Sequence, residues 1–101
     1  MALNGNQRIA VYQIRYAIYD IAGGYENSVT DGQIKETELP SFTELRDEVY
    51  DGIMNNTYDE GSLTTYPQKE IKFCGRDWLM KRVEKRLTKY MDEEAEYSYQ
   101  R

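Results

Sequence analysis

Histidine is absent from this chain, and cysteine and long apolar runs are scarce. Without histidine there is no Ser-His or Cys-His nucleophile pair, no imidazole general base near neutral pH and no imidazole metal ligand. The single cysteine, Cys74, cannot form a disulfide within the chain, which predicts a reducing, cytoplasmic setting. No apolar run approaches the roughly 20 residues that span a bilayer, and no basic and apolar leader opens the chain, so we expect neither a membrane span nor secretion.

Positive charge is in the minority, and it is concentrated in one stretch. The chain has 13 Lys and Arg against 18 Asp and Glu, a net charge of −5. Residues 69–91 hold eight basic and three acidic residues, so this stretch carries +5 and the remainder of the chain −10. The segregation predicts a binding surface within 69–91 but does not name its partner.

The length of 101 residues predicts a single domain, 1–101, with 1–6 and 93–101 as flexible ends. We expect an α+β fold in which about three helices pack on a short antiparallel hairpin or sheet. Apolar residues spaced three and four apart predict a first helix over 7–22, with Gly23-Gly24 as its stop. Asp31-Gly32 indicates a hairpin turn within 25–39.

The second half of the chain supplies the other two helices and the remaining strands. Ser41 and Glu44 form a capping-box pair ahead of the apolar stripe of a second helix. Residues 63–75 predict one or two short strands. Asp77 to Met91 then form an amphipathic helix with one apolar and one basic side. The second helix is acidic opposite its stripe, so the acidic and basic helices either neutralise each other within one chain or remain open to a partner.

Aromatic residues mark two candidate contact surfaces. The chain has ten tyrosines, and Tyr12, Tyr16 and Tyr19 share one side of the first helix, where they form either core or interface. Trp78 lies within the basic side of the last helix. In one interpretation it stacks on a base or fills a partner's pocket; in the other it covers the preceding strand while the basic side faces water.

A protein-binding module that is not an enzyme, and that can self-associate as a homodimer, is the function that explains most of these features. Its predicted contact residues are Tyr12, Tyr16, Tyr19, Trp78, Arg82 and Lys85. The alternative is an accessory nucleic-acid-binding protein, whose contact residues would be Lys72, Trp78, Lys81, Arg82, Lys85 and Lys89. A third hypothesis is an acidic mimic of nucleic acid that uses Glu44, Asp47, Glu48, Asp51 and the acidic tail.

Catalytic and metal sites are not predicted. Cys74 precedes a helix near Arg76, a setting that can lower a thiol pKa, but a small buried side chain is the more common role of a free cysteine. The region from Asn27 to Glu38 has partial EF-hand spacing, yet Val29 stands where an oxygen ligand is required. We therefore expect no metal and no cofactor.

Overall fold

The computed structural model describes residues 2–55 and 68–93, and within these ranges the protein is all-helical. Helix α1 spans Gly5–Thr30, α2 spans Phe42–Asn55, α3 spans Gln68–Lys72 and α4 spans Arg76–Glu93. A single 3-10 turn, Glu36–Glu38, lies in the connection between α1 and α2. No strand occurs in the described ranges, so the predicted α+β class, with helices packed on a hairpin or sheet, is wrong.

The error begins at the end of α1, which runs eight residues beyond the predicted 7–22. Asp31-Gly32 ends this helix instead of turning a hairpin. Gly32 adopts a φ of 76°, and its N–H donates to the carbonyl of Val29 at 3.0 Å. The N–H of Gln33 donates to the carbonyl of Ser28 at 2.8 Å, so carbonyls of the last turn gain partners as in a left-handed helix cap.

The Gly23-Gly24 pair lies inside α1 and does not stop it. Glycine lowers helix stability by roughly 1 kcal/mol relative to alanine, an amount that packing of neighbouring side chains offsets. Ala22 is fully buried, and a Cβ placed at Gly23 would lie 3.7 Å from the hydroxyl of Tyr90. The helix therefore continues because this part of its surface is packed against α4.

The start of α1 is fixed by a capping box that begins at Asn4. The N–H of Gln7 donates to Asn4 Oδ1 at 2.8 Å, and the N–H of Asn4 donates to Gln7 Oε1 at 3.0 Å. These bonds satisfy two of the N–H groups that a helix start leaves unpaired. The helix thus begins at Gly5, inside the 1–6 segment for which the sequence predicts a flexible end.

Helix α2 confirms its sequence signal. The N–H of Glu44 donates to Ser41 Oγ at 3.1 Å, while the N–H of Ser41 donates to Glu44 Oε1 at 2.9 Å. These contacts lower the pKa of the Glu44 carboxyl because the hydrogen bonds favour its charged form. Behind the cap, Leu45, Val49 and Ile53 are buried, as the three-and-four spacing predicts.

The predicted strand over 63–75 is replaced by a helix where the structure describes it. Residues 68–72 form α3 and lead through Gly75, at a φ of 85°, into α4; residues 63–67 lie outside the described ranges. Trp78 consequently follows a short helix and not the strand that one interpretation had it cover. Ile71, at 2% exposure, attaches α3 to the core.

The four helices share one apolar core. Its members are Ala10, Ile14, Ala17, Ile18, Ala22, Leu45, Val49, Ile53, Ile71, Leu79, Val83, Leu87, Tyr90 and Met91. Helices α2 and α4 are antiparallel where they touch. Arg46 pairs with Glu84, and Tyr50, one turn later on α2, lies beneath Arg76, two turns earlier on α4. Ala10, Ala17 and Ala22 of α1 are fully buried, and such small side chains allow neighbouring helices to pack closely.

Candidate binding groove

A groove of about 480 Å³ opens between α1 and α4, and its charges are almost all positive. We call it the α1–α4 groove. Its charged lining residues are Arg15, Arg82, Lys85, Arg86, Lys89 and Glu93. Five cations thus face one carboxylate in a concave site, where low-dielectric walls strengthen the local potential. An anionic ligand is the chemistry that this site favours.

Helical spacing explains why these side chains converge. On α4, residues 82, 85, 86, 89 and 93 recur every three or four positions and follow the edge of the buried stripe. On α1, Val11, Ile14 and Arg15 occupy the facing edge, with Tyr19 one turn farther along. Ile14 is fully buried, so the groove combines an apolar floor with a charged rim.

Tyr19 contacts two of the three arginines of the groove, Arg15 and Arg86. The guanidinium carbon of Arg15 lies 5.8 Å from the centroid of the Tyr19 ring, and that of Arg86 lies 5.7 Å from it. The Tyr19 ring in turn meets Tyr90 edge to face, with centroids 5.5 Å apart. Cation–π contacts of this kind restrain a guanidinium without neutralising its charge.

The cations of the groove are not neutralised by other described residues. Both ion pairs in the described ranges involve Arg46, at 2.9 Å from Asp47 and 2.8 Å from Glu84. One carboxylate of the basic helix is therefore paired with a cation of the acidic helix. This pairing leaves the excess positive charge of α4 unmatched, so mutual neutralisation of α2 and α4 is limited to one bond.

Arg86 carries a further sign of an unmet interaction. Its Nη1 atom is buried and has no hydrogen-bond partner among the residues that the structure describes. A buried donor without an acceptor loses its hydration and gains nothing in return, at a cost of about 1–3 kcal/mol. A ligand acceptor would remove that cost if the guanidinium turned Nη1 into the groove.

The tyrosine side of α1 continues the same surface. Tyr12 and Tyr16 are 45% and 40% exposed, and the Tyr12 hydroxyl donates to that of Tyr16 at 3.0 Å. Their rings meet edge to face with centroids 4.8 Å apart. Together with Arg15 and Tyr19 they line a smaller depression of about 240 Å³. Tyr12 and Tyr16 thus lie at the surface, while Tyr19 joins this edge to the groove.

Trp78 is partly buried and packs against the core. The indole is therefore neither fully exposed for stacking nor fully covered, so it lies between the two interpretations. The guanidinium carbon of Arg82 lies 5.9 Å from its ring, so Trp78 supports a cation of the groove from one turn away. Lys85 lines the groove with Arg82, whereas Lys72 and Lys81 are exposed and are not among its lining residues. Lys89 lines the groove as well. Each of the two predicted contact sets therefore coincides only in part with the lining of the groove.

The acidic side of α2 is partly engaged within the fold. The Tyr25 hydroxyl donates to Glu48 Oε1 at 2.7 Å, and this bond to a carboxylate raises the pKa of Tyr25 to about 12. Asp47 is held by Arg46 and Glu44 by its cap. Asp51 is exposed. Because the other three carboxylates of the predicted acidic row form bonds within the chain, the row offers less free negative charge than the mimicry hypothesis requires.

The chemistry of Cys74 is that of a structural thiol. Its Sγ donates to the carbonyl of Glu70 at 3.8 Å, and burial raises the pKa of the thiol above its usual value. A thiol with a raised pKa forms little of the reactive thiolate at neutral pH. Within residues 2–55 and 68–93, no three Cys, Asp or Glu side chains come together as a metal site requires.

Two of the five groove cations, Arg15 and Arg86, are absent from the predicted contact sets. Arg86 belongs to the basic stretch of 69–91, but its helical position adjoins the buried side, so exposure alone did not select it. Arg15 is a single cation between tyrosines on a different helix. Its spacing of four from Tyr19 was the one local signal, since such pairs meet on a helix surface.

Comparison with protein families, with curated proteins and with solved structures finds no match to this chain. Within the described ranges, every helix falls short of the combined length and apolar character that a membrane crossing needs. The site must therefore be interpreted from its own residues.

Proposed function

We propose that this protein is a non-catalytic binding module whose α1–α4 groove receives an acidic segment of a partner protein. The observation that carries the proposal is the set of five groove cations, none of which forms an ion pair with another described residue. Charges that stay unmatched in a concave site steer an oppositely charged partner and select it. The module requires no cofactor, and we place it in the cytoplasm, where its single thiol stays reduced.

The aromatic edge favours a protein as the partner. Tyrosine and arginine are the side chains that protein interfaces concentrate, since each offers a large contact area with a polar tip. Exposed Tyr12 and Tyr16 lie beside Arg15 in the adjoining depression, so apolar and charged contacts are available on one surface. A peptide with acidic and apolar side chains would use both.

Nucleic acid is disfavoured by the same geometry. Stacking of bases needs an open ring face, but Trp78 is partly buried and the Tyr12 and Tyr16 rings meet edge to face at 75°. The chain's net charge of −5 also repels a long polyanion that extends beyond the groove more than it repels a short acidic segment that lies within it. We therefore treat oligonucleotide binding as an outcome that the experiment must exclude.

A titration followed by tryptophan fluorescence tests the proposal. Trp78 is the chain's single tryptophan and lies beneath Arg82, so it reports occupancy of the groove. The probe is a hexaglutamate peptide at low salt, with a single-stranded oligonucleotide of equal charge as the comparison. We expect saturable peptide binding that weakens as salt rises, because the interaction is between charges.

Charge reversal on α4 supplies a matched control. Lys85→Glu changes a groove residue, while Lys81→Glu makes the same change at an exposed position outside the groove. We expect Lys85→Glu to weaken the peptide roughly tenfold or more and Lys81→Glu to have a much smaller effect. Equal losses in both variants, or no peptide binding by the wild type at low salt, would contradict the proposal. If the oligonucleotide bound more tightly than the peptide, nucleic acid would be the ligand of the groove and the proposal would be wrong.

Self-association is tested separately. A second copy could offer the exposed Asp51 side of α2 to the groove, as charge complementarity requires. Elution volume as a function of protein concentration measures this directly. A wild type that dimerises while Lys85→Glu stays monomeric would make the second copy the partner.

A further inference from the structure

We propose that the α1–α4 groove selects a phosphorylated side chain, so that the acidic segment it receives is a phosphopeptide. This inference rests on the proposed function and adds the chemical identity of the central anion. It is carried by the number of cations, by the arginines among them and by the unpartnered donor of Arg86.

The number of charges exceeds what a single carboxylate can match. Five cations and one carboxylate line a space of about 480 Å³, so the lining has a net charge of 5 − 1 = +4. A glutamate brings one negative charge, whereas a phosphoryl group brings about −1.5 to −2 at pH 7 and three acceptor oxygens. With one side chain, the phosphoryl group therefore offsets up to about twice as much of this net charge of +4 as a glutamate does.

The type of cation points the same way. Three of the five are arginines, whose planar donor fork matches the spacing of phosphate oxygens. Arg15 and Arg86 both rest against Tyr19, at 5.8 and 5.7 Å, so two forks are held on one ring. A lysine-lined surface would attract the same charge without this geometry.

Arg86 provides an independent observation. Its buried Nη1 has no partner in the described part of the chain, although nearly all buried donors in folded proteins have one. A phosphoryl oxygen is a strong acceptor and would satisfy Nη1 once the guanidinium turns this atom into the groove. The apolar neighbours Val11 and Ile14 then contact the carbon part of the modified side chain.

Three peptides that differ at one position test the inference by calorimetry. Each has the same acidic flanks, with phosphoserine, glutamate or serine at the centre; inorganic phosphate and a phosphotyrosine peptide are further arms. We expect the phosphoserine peptide to bind at least about tenfold tighter than the glutamate peptide. Its affinity should rise as pH increases through about 6, where the phosphoryl group takes its second charge.

Charge-conserving variants separate geometry from charge. Arg86→Lys keeps the charge but removes the fork, so we expect binding of the phosphoserine peptide to weaken severalfold more than binding of the glutamate peptide. Arg15→Lys, at an exposed position, repeats the test without touching a buried atom. Lys81→Ala is the control and should retain the full preference. Glu93→Gln removes the one carboxylate of the lining and should tighten the phosphopeptide.

The outcomes distinguish this inference from the proposed function. Equal affinity for phosphoserine and glutamate peptides would overturn the inference and leave the acidic-segment proposal standing. Absence of binding by every peptide would overturn both. If inorganic phosphate alone competes as well as the peptide, the groove is a small-anion site and the phosphopeptide is the wrong ligand; an oligonucleotide that binds tighter than the phosphopeptide would also refute it.

Discussion

Replacing Gln13 with leucine should make the protein more stable. Gln13 lies in α1 and is fully buried, and neither Nε2 nor Oε1 of its amide has a hydrogen-bond partner among the described residues. Protein data place the cost of an unsatisfied buried amide at about 1–3 kcal/mol. Leucine is similar in size and has nearly the same helix propensity, so the substitution removes this cost and adds apolar contact.

The expected gain in the free energy of unfolding is about 1–3 kcal/mol. Each kcal/mol corresponds to a rise in Tm of roughly 4–8 °C for a domain of this size. Urea unfolding followed by circular dichroism at 222 nm measures the gain as a higher midpoint at unchanged slope. Gln13→Glu is the opposing control, because an unpaired charge at the same buried position should destabilise the fold by several kcal/mol.

A second apolar variant keeps the test decisive. Gln13→Met has the unbranched shape of glutamine and lacks the branch of leucine, so it fits the same space without a steric clash. Midpoints at or below the wild-type value in both variants would refute the reasoning, and would mean that the amide has a partner in solution such as an ordered water.

Three further predictions concern a pH-dependent contact, the core and a turn. The bond to Glu48 raises the pKa of Tyr25 to about 12. The stability that this bond gives is therefore complete below about pH 10 and is lost between about pH 10 and 12. The difference in urea midpoint between the wild type and Tyr25→Phe should vanish over that range. Leu87→Ala empties a fully buried position and should cost about 2–5 kcal/mol in thermal or urea unfolding, and a loss below 1 kcal/mol would contradict the assigned core. Gly75→Ala meets no atom within 4 Å, so any loss reports the strain of its φ of 85°, about 1–2 kcal/mol; an unchanged midpoint would show a different turn.

Local signals predicted the second and last helices well. Ser41 and Glu44 cap α2 through bonds between neighbours, which sequence spacing reveals directly. The stripe through Leu79, Val83 and Leu87 is buried as its three-and-four spacing implies. Where a short stretch of chain contains both partners of an interaction, the sequence was sufficient.

The sheet was wrongly predicted because the same residues serve two structures. An Asp-Gly pair can turn a hairpin or end a helix, since glycine with positive φ suits both. Whether Asp-Gly turns a hairpin or ends a helix depends on whether the preceding residues are helical. The Gly23-Gly24 pair is a local signal for the end of a helix, so it predicted that they are not. The packing of Gly23 beside Tyr90 reverses that preference, and the sequence does not reveal which residue of α4 will lie there.

The groove was predictable on one helix only. Spacing placed Arg82, Lys85 and Lys89 together on α4, and the charge excess marked them as a contact surface. Arg15 joins them only because α1 and α4 dock at this angle. The apposition of Tyr19 with Tyr90, at 5.5 Å, is a tertiary contact with no counterpart in local sequence.

The location of binding is the central claim, and a chemical-shift map of the backbone amides tests it most directly. With the phosphoserine peptide titrated into labelled protein, we expect the largest shifts near Arg15, Tyr19, Arg86 and Lys89, and small shifts along the acidic side of α2. Shifts centred on α2, or spread evenly over the surface, would contradict the assignment of the α1–α4 groove as the site.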